Sequence, residues 1–156
     1  VIAQQVSKAA AITIGERLKI LCNGRISAEN VRKLSLTQLQ SVGLTGAKVR
    51  TIDELSDAVL VEKINFRKIV HQSDQEIISE LSSFFGFGKW TAEMFLIFQL
   101  GRLDVWPVDD LAVRRGWNHL HTYAEPVTPK VLHALGDPFR GMRSVVAWYC
   151  WRASEM

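Results

Sequence analysis

Proline is confined to the last third of this chain of 156 residues, where it occupies positions 107, 126, 129 and 138. Because proline interrupts helices, the preceding residues can be helical nearly throughout. Apolar residues recur there at helical spacing, and neither the alternation typical of strands nor an internal repeat is found. The sequence therefore predicts an all-α fold, an irregular multi-helix bundle formed as one domain by residues 1–156.

Capping residues divide the chain into helices. Ser73 and Glu76 form a capping box, Asp109 or Asp110 caps a later helix, and Thr128 followed by proline starts another. The segment 91–100 is apolar on nearly every side, which is typical of a helix buried at the centre of a protein. We expect helices over about 7–21, 27–34, 45–59, 73–82, 91–100, 111–120 and 143–152, with a further one from 129.

Composition restricts the class of protein. Hydrophobic residues make up 47% and charged residues 22% of the chain, as in an ordinary soluble globular protein. The net charge of +3 is compatible with an anionic partner but is weak evidence alone. Cys22 and Cys150 lie outside any C-x-x-C pair, which excludes a cysteine-rich zinc or iron–sulfur site and favours buried free thiols in a reducing compartment. No apolar run reaches transmembrane length, and we expect no signal peptide.

A glycine-rich turn, Phe85-Gly86-Phe87-Gly88, directly precedes the apolar helix. Both glycines can take positive φ, and the next helix offers free N–H groups and a positive dipole end. Such a turn binds a phosphate oxygen through its backbone, and Lys89 adds a positive charge nearby. Carbonyls of this region, at Ser82, Phe84 and Phe87, could hold a monovalent cation. A plain helix–helix turn is the alternative, because short glycine motifs are unspecific.

A carboxylate pair follows at Asp109 and Asp110, at the start of the next helix. A carboxylate at a helix N-terminus is stabilised as the anion and stays charged at neutral pH. It could stabilise a cationic sugar as a base departs, or activate a water at the anomeric carbon. The alternative is a helix cap without a catalytic role, which one of the two aspartates is expected to provide.

The order of these motifs resembles that of the helix-hairpin-helix DNA glycosylases, in their DNA-3-methyladenine glycosylase II branch. The resemblance covers nearly the whole chain. It departs from the family at Phe85, where a proline is usual, which makes the turn less rigid. The chain opens on Val1, so we also expect further residues upstream that belong to the first lobe. The matching segments are the glycine turn, Trp90-Thr91-Ala92, 104–111, Arg114-Arg115-Gly116, the opening 3–10 and the ending 143–152.

The resemblance implies a monofunctional enzyme of base excision repair, which flips an alkylated base such as 3-methyladenine out of double-stranded DNA and hydrolyses its N-glycosidic bond. The catalytic carboxylate would be Asp110, the aspartate directly before the leucine, with Asp109 as the alternate. The branch that also cleaves the DNA backbone has a lysine nucleophile where this chain has Trp90. A Schiff-base lyase is therefore disfavoured.

Aromatic and polar residues complete the predicted site. An aromatic pocket would receive the flipped base, although core packing remains open for Trp106 and Tyr149. One of the two opening glutamines, preferably Gln5, would fill the gap that the base leaves. The pocket residues are Trp90, Trp148, Trp106 and Tyr149, and the DNA-binding residues are Gly86, Phe87, Gly88, Lys89, Thr91, Gln4 and Gln5.

Other partners are not expected. The histidines at 71, 119, 121 and 133 lack the spacing of metal ligands, and the resemblance implies no cofactor. We expect a monomer without a membrane partner, located in the cytoplasm at the nucleoid in a bacterium or archaeon, or in the nucleus of a eukaryote. Two alternatives remain open: a non-catalytic helix-hairpin-helix DNA-binding module and a bifunctional glycosylase/lyase.

Overall fold

The computed structural model describes residues 1–123 and 127–156, and no strand occurs within these ranges. The predicted all-α fold is therefore confirmed. None of the described helices is long and apolar enough to cross a membrane. The helices are α1 (Lys8–Leu21), α2 (Ala28–Val31), α3 (Leu36–Ser41), α4 (Gly46–Leu60), α5 (Asp74–Ser82), α6 (Lys89–Phe98), α7 (Leu111–His121), α8 (Pro129–Leu135) and α9 (Arg143–Ser154), with 3₁₀ turns at Ile69–His71 and Asp137–Phe139.

The chain divides into two compact units, of which the first is Val1–Gly88. Ser73 starts α5 through a capping box, as expected, and Ser35 starts α3 in the same way. Helix α2 packs against α4. The core of this unit is a cluster of buried apolar residues: Ile14, Leu18, Cys22, Val31, Leu39, Val42, Leu44 and Val49.

The second unit is Lys89–Met156. Its helices α7 and α9 pack closely along each other. The approach depends on Gly116, because a Cβ atom there would lie 1.7 Å from the carbonyl oxygen of Cys150. Its core contains Trp106, Val108, Val113, Trp117, Val127, Leu132, Ala147 and Cys150.

Three sequence predictions need correction. Helix α2 ends at Val31, not near residue 34. Helix α6 begins at Lys89, two residues before the predicted start. It is also not buried all round, because Phe98 is 64% exposed. The buried residues of α6 are Ala92, Glu93 and Leu96, which share one face at helical spacing. The apolar composition of α6 thus concealed an ordinary two-sided helix.

Candidate nucleic-acid interface and carboxylate site

Residues 83–88 form the turn between α5 and α6. The N–H of Phe87 donates to the carbonyl of Phe84 at 3.1 Å, and Gly86 takes a φ of +77°. A turn of this kind needs a left-handed residue only at its third position. Gly88 does not have positive φ, so only Gly86 uses the conformational freedom that the sequence offered at both glycines.

Groups of the first unit support the turn at Gly86. A Cβ atom on this residue would lie 2.2 Å from Oγ1 of Thr51, so the backbone approaches α4 directly. The Gln4 side-chain amide donates to the Gly86 carbonyl at 3.1 Å. Lys48 holds the segment before α1 in place, because its Nζ donates to the carbonyls of Ile2 and Gln4 at 3.0 and 2.6 Å. The turn is therefore shaped by close packing and hydrogen bonds.

Phe85, which stands where the family usually has a proline, is held by a different contact. The Arg50 guanidinium lies 3.8 Å from the centre of the Phe85 ring. Such a cation–π contact stabilises by about 0.5–1 kcal/mol at an exposed site. Arg50 also pairs with Glu54 at 2.6 Å. Phe85 therefore gains from Arg50 a restraint that the sequence did not indicate.

The two opening glutamines differ in conformation. Gln5 is exposed and has a φ of +54°, a region that non-glycine residues seldom adopt. Strained residues of this kind cluster at functional sites. Gln4 instead engages the turn, as described above. This difference agrees with the preference for Gln5 as the residue that enters DNA, which stays a prediction.

In the second unit, Asp110 is the N-cap residue of α7. Its Oδ1 accepts hydrogen bonds from the N–H groups of Ala112 and Val113 at 2.7 and 3.0 Å. Its Oδ2 accepts one from Nε1 of Trp90 at 2.6 Å. The adjacent Asp109 is exposed and pairs only with Lys89 among the described residues, at 3.2 Å. Three N–H donors thus fix one carboxylate, while its neighbour stays at the surface.

Lys89 lies between two carboxylates. Its Nζ is 3.2 Å from Asp109 Oδ2 and 3.6 Å from Glu93 Oε1, one turn further along α6. Burial lowers the pKa of Lys89, but the bond to Asp109 and the charge of Glu93 outweigh burial and raise it above its ordinary value. The amine is therefore protonated at neutral pH.

Sequence reasoning missed Glu93. Its side chain is 3% exposed. Burial raises its pKa to about 7, opposed by Lys89 and aided by the charges of Asp109 and Asp110. A glutamate inside an otherwise apolar stretch, Ala92–Phe98, was the available signal.

The four predicted pocket aromatics do not share one environment. Trp90, Trp148 and Tyr149 are 42%, 49% and 58% exposed, and the last two meet edge to face with ring centroids 5.2 Å apart. Trp106 is buried, and its Nε1 donates to the Leu132 carbonyl at 2.8 Å. Core packing, the alternative left open by the sequence, describes Trp106.

The sequence matches a family described as "HhH-GPD superfamily base excision DNA repair protein" over residues 1–140. The chain belongs to this superfamily. It is 30% identical over 159 residues to DNA-3-methyladenine glycosylase 1 of Schizosaccharomyces pombe, a match that covers 100% of the chain and 70% of that relative. These matches of the HhH-GPD chain confirm the resemblance that its motifs indicated.

Solved structures support the same assignment. A Schizosaccharomyces pombe 3-methyladenine DNA glycosylase in complex with abasic DNA has a TM-score of 0.90 and 30% identity, covering 99% of this chain and 77% of its own. A Bacillus halodurans DNA-3-methyladenine glycosidase has a TM-score of 0.89 and 30% identity, covering 98% and 71%. The HhH-GPD fold is thus matched over nearly all of the present chain.

Other expectations for this HhH-GPD chain have mixed outcomes. Cys22 and Cys150 are buried and free, as predicted. In the described part of the chain, no three His, Cys, Asp or Glu residues are grouped so that they could hold a metal ion. Of the carbonyls predicted to bind a monovalent cation, that of Phe84 already accepts the Phe87 N–H. The cation site itself stays a prediction.

Proposed function

We propose that this HhH-GPD protein is a monofunctional DNA glycosylase of the DNA-3-methyladenine glycosylase II type, a hydrolase that releases alkylated bases from double-stranded DNA. The observation that carries the proposal is the carboxylate of Asp110, held at a helix N-terminus by two backbone N–H groups and by Trp90. The names of the S. pombe and B. halodurans relatives point to the same substrate class.

The geometry of Asp110 suits the chemistry. Three N–H donors fix its orientation at the start of α7, where the positive end of the helix dipole lies. A fixed anion stabilises the positive charge that develops on the sugar as the base leaves, and it needs no reorganisation at that moment. An alkylated purine carries a positive charge and is a good leaving group, so strong acid assistance from the protein is not required. Asp110 would stabilise the sugar cation or position the attacking water.

Trp90 and Lys89 argue against the lyase alternative. A Schiff base requires a neutral amine at the reacting carbon. The position of the lyase nucleophile is occupied by Trp90, whose Nε1 binds Asp110. The neighbouring Lys89 is engaged by Asp109 and Glu93, and its raised pKa keeps it protonated.

We assign the remaining roles as parts of the same proposal. The exposed aromatic rings would stack on a cationic alkylated base, at roughly 1–3 kcal/mol per base. Backbone N–H groups of the turn would bind a phosphate. We propose Trp90, Trp148 and Tyr149 for the base, Gly86, Phe87, Gly88, Lys89 and Thr91 for the phosphate backbone, Ser82, Phe84 and Phe87 for a monovalent cation, and Gln5 for the gap in the duplex. We further propose that the protein acts as a monomer.

Base release from a panel of methylated duplexes tests the proposal, with Asp110→Asn and Asp109→Asn as a matched pair. Asp110→Asn should lose about 10²–10³-fold or more in base release, the usual cost of removing an electrostatic group from such a site. Its DNA affinity should stay equal or rise, because one charge that repels phosphate is gone. Asp109→Asn should keep most of its activity.

Three outcomes would contradict this assignment. Loss of base release in Asp109→Asn but not in Asp110→Asn would move the catalytic role to the exposed aspartate. DNA binding without any base release by the wild-type protein would favour the non-catalytic module. A covalent enzyme–DNA adduct trapped by borohydride would favour the bifunctional enzyme, whereas we expect none.

A further inference from the structure

Glu93 is a buried carboxyl group without an assigned role. Its Oε2 is buried and has no hydrogen-bond partner among the described residues. Its Oε1 is 3.6 Å from Lys89 Nζ. An orphaned polar atom in a protein interior costs about 1–3 kcal/mol, more for a charged group. Such a group requires a specific explanation.

The surroundings of Glu93 carry an excess of negative charge. The charged groups that act on it are Lys89 on its own helix and Asp109 and Asp110 from the segment that begins α7. With all three carboxyls ionised, Glu93 shares the Lys89 ammonium with Asp109, and the negative charge of Asp110 acts on it as well. Like charges at close range cannot all ionise freely, and the most desolvated group retains its proton longest. Glu93 is that group, because Asp109 is exposed and Asp110 has three N–H donors.

The position of Lys89 connects this charge balance with DNA. Lys89 is the first residue of α6, directly after the turn proposed to bind phosphate. It can lie at Asp109 and Glu93, as in the structure, or extend its flexible side chain toward a phosphate. The charge on Glu93 decides how strongly the protein itself retains the ammonium group.

We propose that Glu93 is a positioning residue, whose ionised carboxylate holds Lys89 beside Asp109 and whose protonated carboxyl releases Lys89 to a DNA phosphate. The inference rests on the proposed DNA-glycosylase function for its setting. It concerns the DNA-binding step, which can be measured without base release. Because the pKa of Glu93 is about 7, the exchange occurs near neutral pH.

The expected result is DNA binding linked to proton uptake. Protonation removes the negative charge that retains Lys89 and frees its ammonium group for a phosphate, so affinity should rise as the pH falls. Between about pH 8 and pH 6, the wild-type Kd for a duplex with an abasic-site analogue should fall about 3- to 10-fold at constant ionic strength. Fluorescence anisotropy with labelled duplex measures this change.

Glu93→Gln is the decisive variant. Its Kd should be nearly independent of pH in this range and close to the low-pH value of the wild type. Glu16→Gln provides the matched control, because it removes one exposed carboxylate from α1 and should keep the wild-type pH dependence. Lys89→Met should bind DNA more weakly and lose most of the pH dependence, since Glu93 acts through Lys89.

A direct measurement does not depend on any variant being soluble. The side-chain carboxyl carbon of Glu93 should titrate near pH 7 in the ¹³C spectrum of the wild-type protein. A titration midpoint in the ordinary glutamate range, or an unchanged pH dependence of binding in folded Glu93→Gln, would overturn the inference. If Glu93→Gln does not fold, Glu93→Asp should retain a pH-dependent Kd, and a pH-independent Kd in that variant would also overturn it.

Base release separates this inference from the proposed function. At saturating protein, Glu93→Gln should release base within about tenfold of the wild-type rate, unlike Asp110→Asn. A loss in Glu93→Gln as large as in Asp110→Asn would overturn the positioning role. A wild-type protein that releases no base at any pH would contradict the proposed function, while the binding measurements would still decide the role of Glu93.

Discussion

The turn of the first unit and the carboxylate cluster of the second are held in different ways. The position of Gly86 depends on shape, that is, on its close packing against Thr51, together with a hydrogen bond from the uncharged amide of Gln4. The cluster depends on charge, through Lys89, Glu93 and the aspartate pair. Shape is insensitive to pH, whereas a buried carboxyl group near its pKa is not. One candidate DNA-binding element can therefore stay constant while the other responds to protonation.

The largest expected effect comes from disrupting the contact between α7 and α9, because α7 begins directly after the aspartate pair. Gly116→Ala places a Cβ atom 1.7 Å from a backbone carbonyl of α9, which no rotamer change can relieve. We expect a loss of about 3 kcal/mol or more in the free energy of unfolding, measured by urea denaturation.

Gly15→Ala is the matched control, because no atom lies within 4 Å of the added Cβ in α1. It should be neutral or stabilise by up to about 1 kcal/mol, since alanine favours helices over glycine. Equal stability of the two variants would mean that α7 and α9 are not packed as described.

The pH dependence of stability sharpens the contrast between the two regions. The pKa of Glu93 is raised from 4.5 to about 7 in the folded protein. Its contribution to stability is therefore fully present below the unfolded pKa and is lost as the pH rises through 7. The shift corresponds to roughly 3 kcal/mol in the free energy of unfolding, which the wild type should lose between about pH 5 and pH 8. Glu93→Gln should not lose it, because glutamine does not ionise.

Urea denaturation at several pH values checks this expectation, with Glu16→Gln as control. Relative to the wild type, Glu93→Gln should gain stability as the pH rises. The free energy of unfolding of Glu16→Gln should change with pH in parallel with that of the wild type. A parallel curve for Glu93→Gln would show that the buried carboxyl does not hold its proton.

The smallest expected effect concerns the turn itself. Gly86→Ala forces a side chain into the left-handed region and against Thr51, at a cost of about 1–2 kcal/mol. DNA affinity should fall about tenfold, equally at pH 6 and pH 8. Gly15→Ala again is the control, because its backbone is not left-handed, no atom lies within 4 Å of its Cβ and it lies outside the proposed DNA-binding residues. A pH-dependent defect in Gly86→Ala would break the distinction between shape and charge.

Local features of this structure could be predicted from the sequence, because they depend on neighbouring residues. Ser73 starts a helix through a capping box with Glu76, three positions further along, and Asp110 caps α7 through the N–H groups of Ala112 and Val113. The glycine turn was located in the same way. The backbone conformation of each glycine could not be predicted in this way, because the turn requires only one left-handed glycine.

Features that depend on packing were beyond the sequence alone. Glu93 lies on the face of α6 that is buried, and only the structure shows which face that is. The sequence likewise allowed Trp106 to line a pocket or to pack in the core. In the structure, its Nε1 donates to the carbonyl of Leu132 in the core. The contact between Trp90 and Asp110 joins residues separated by 20 positions, a pairing that no local pattern encodes.

The hydrogen bond between Gln4 and Gly86 has a consequence for the order of folding. It joins positions 82 residues apart, and contacts so distant in sequence form only after a large loss of chain entropy. The Phe84–Phe87 turn can close within its own few residues, long before its amide support arrives. A probe at Gln4 should therefore report a later kinetic phase than a probe at Phe87, so the turn acquires its shape first and its restraint last.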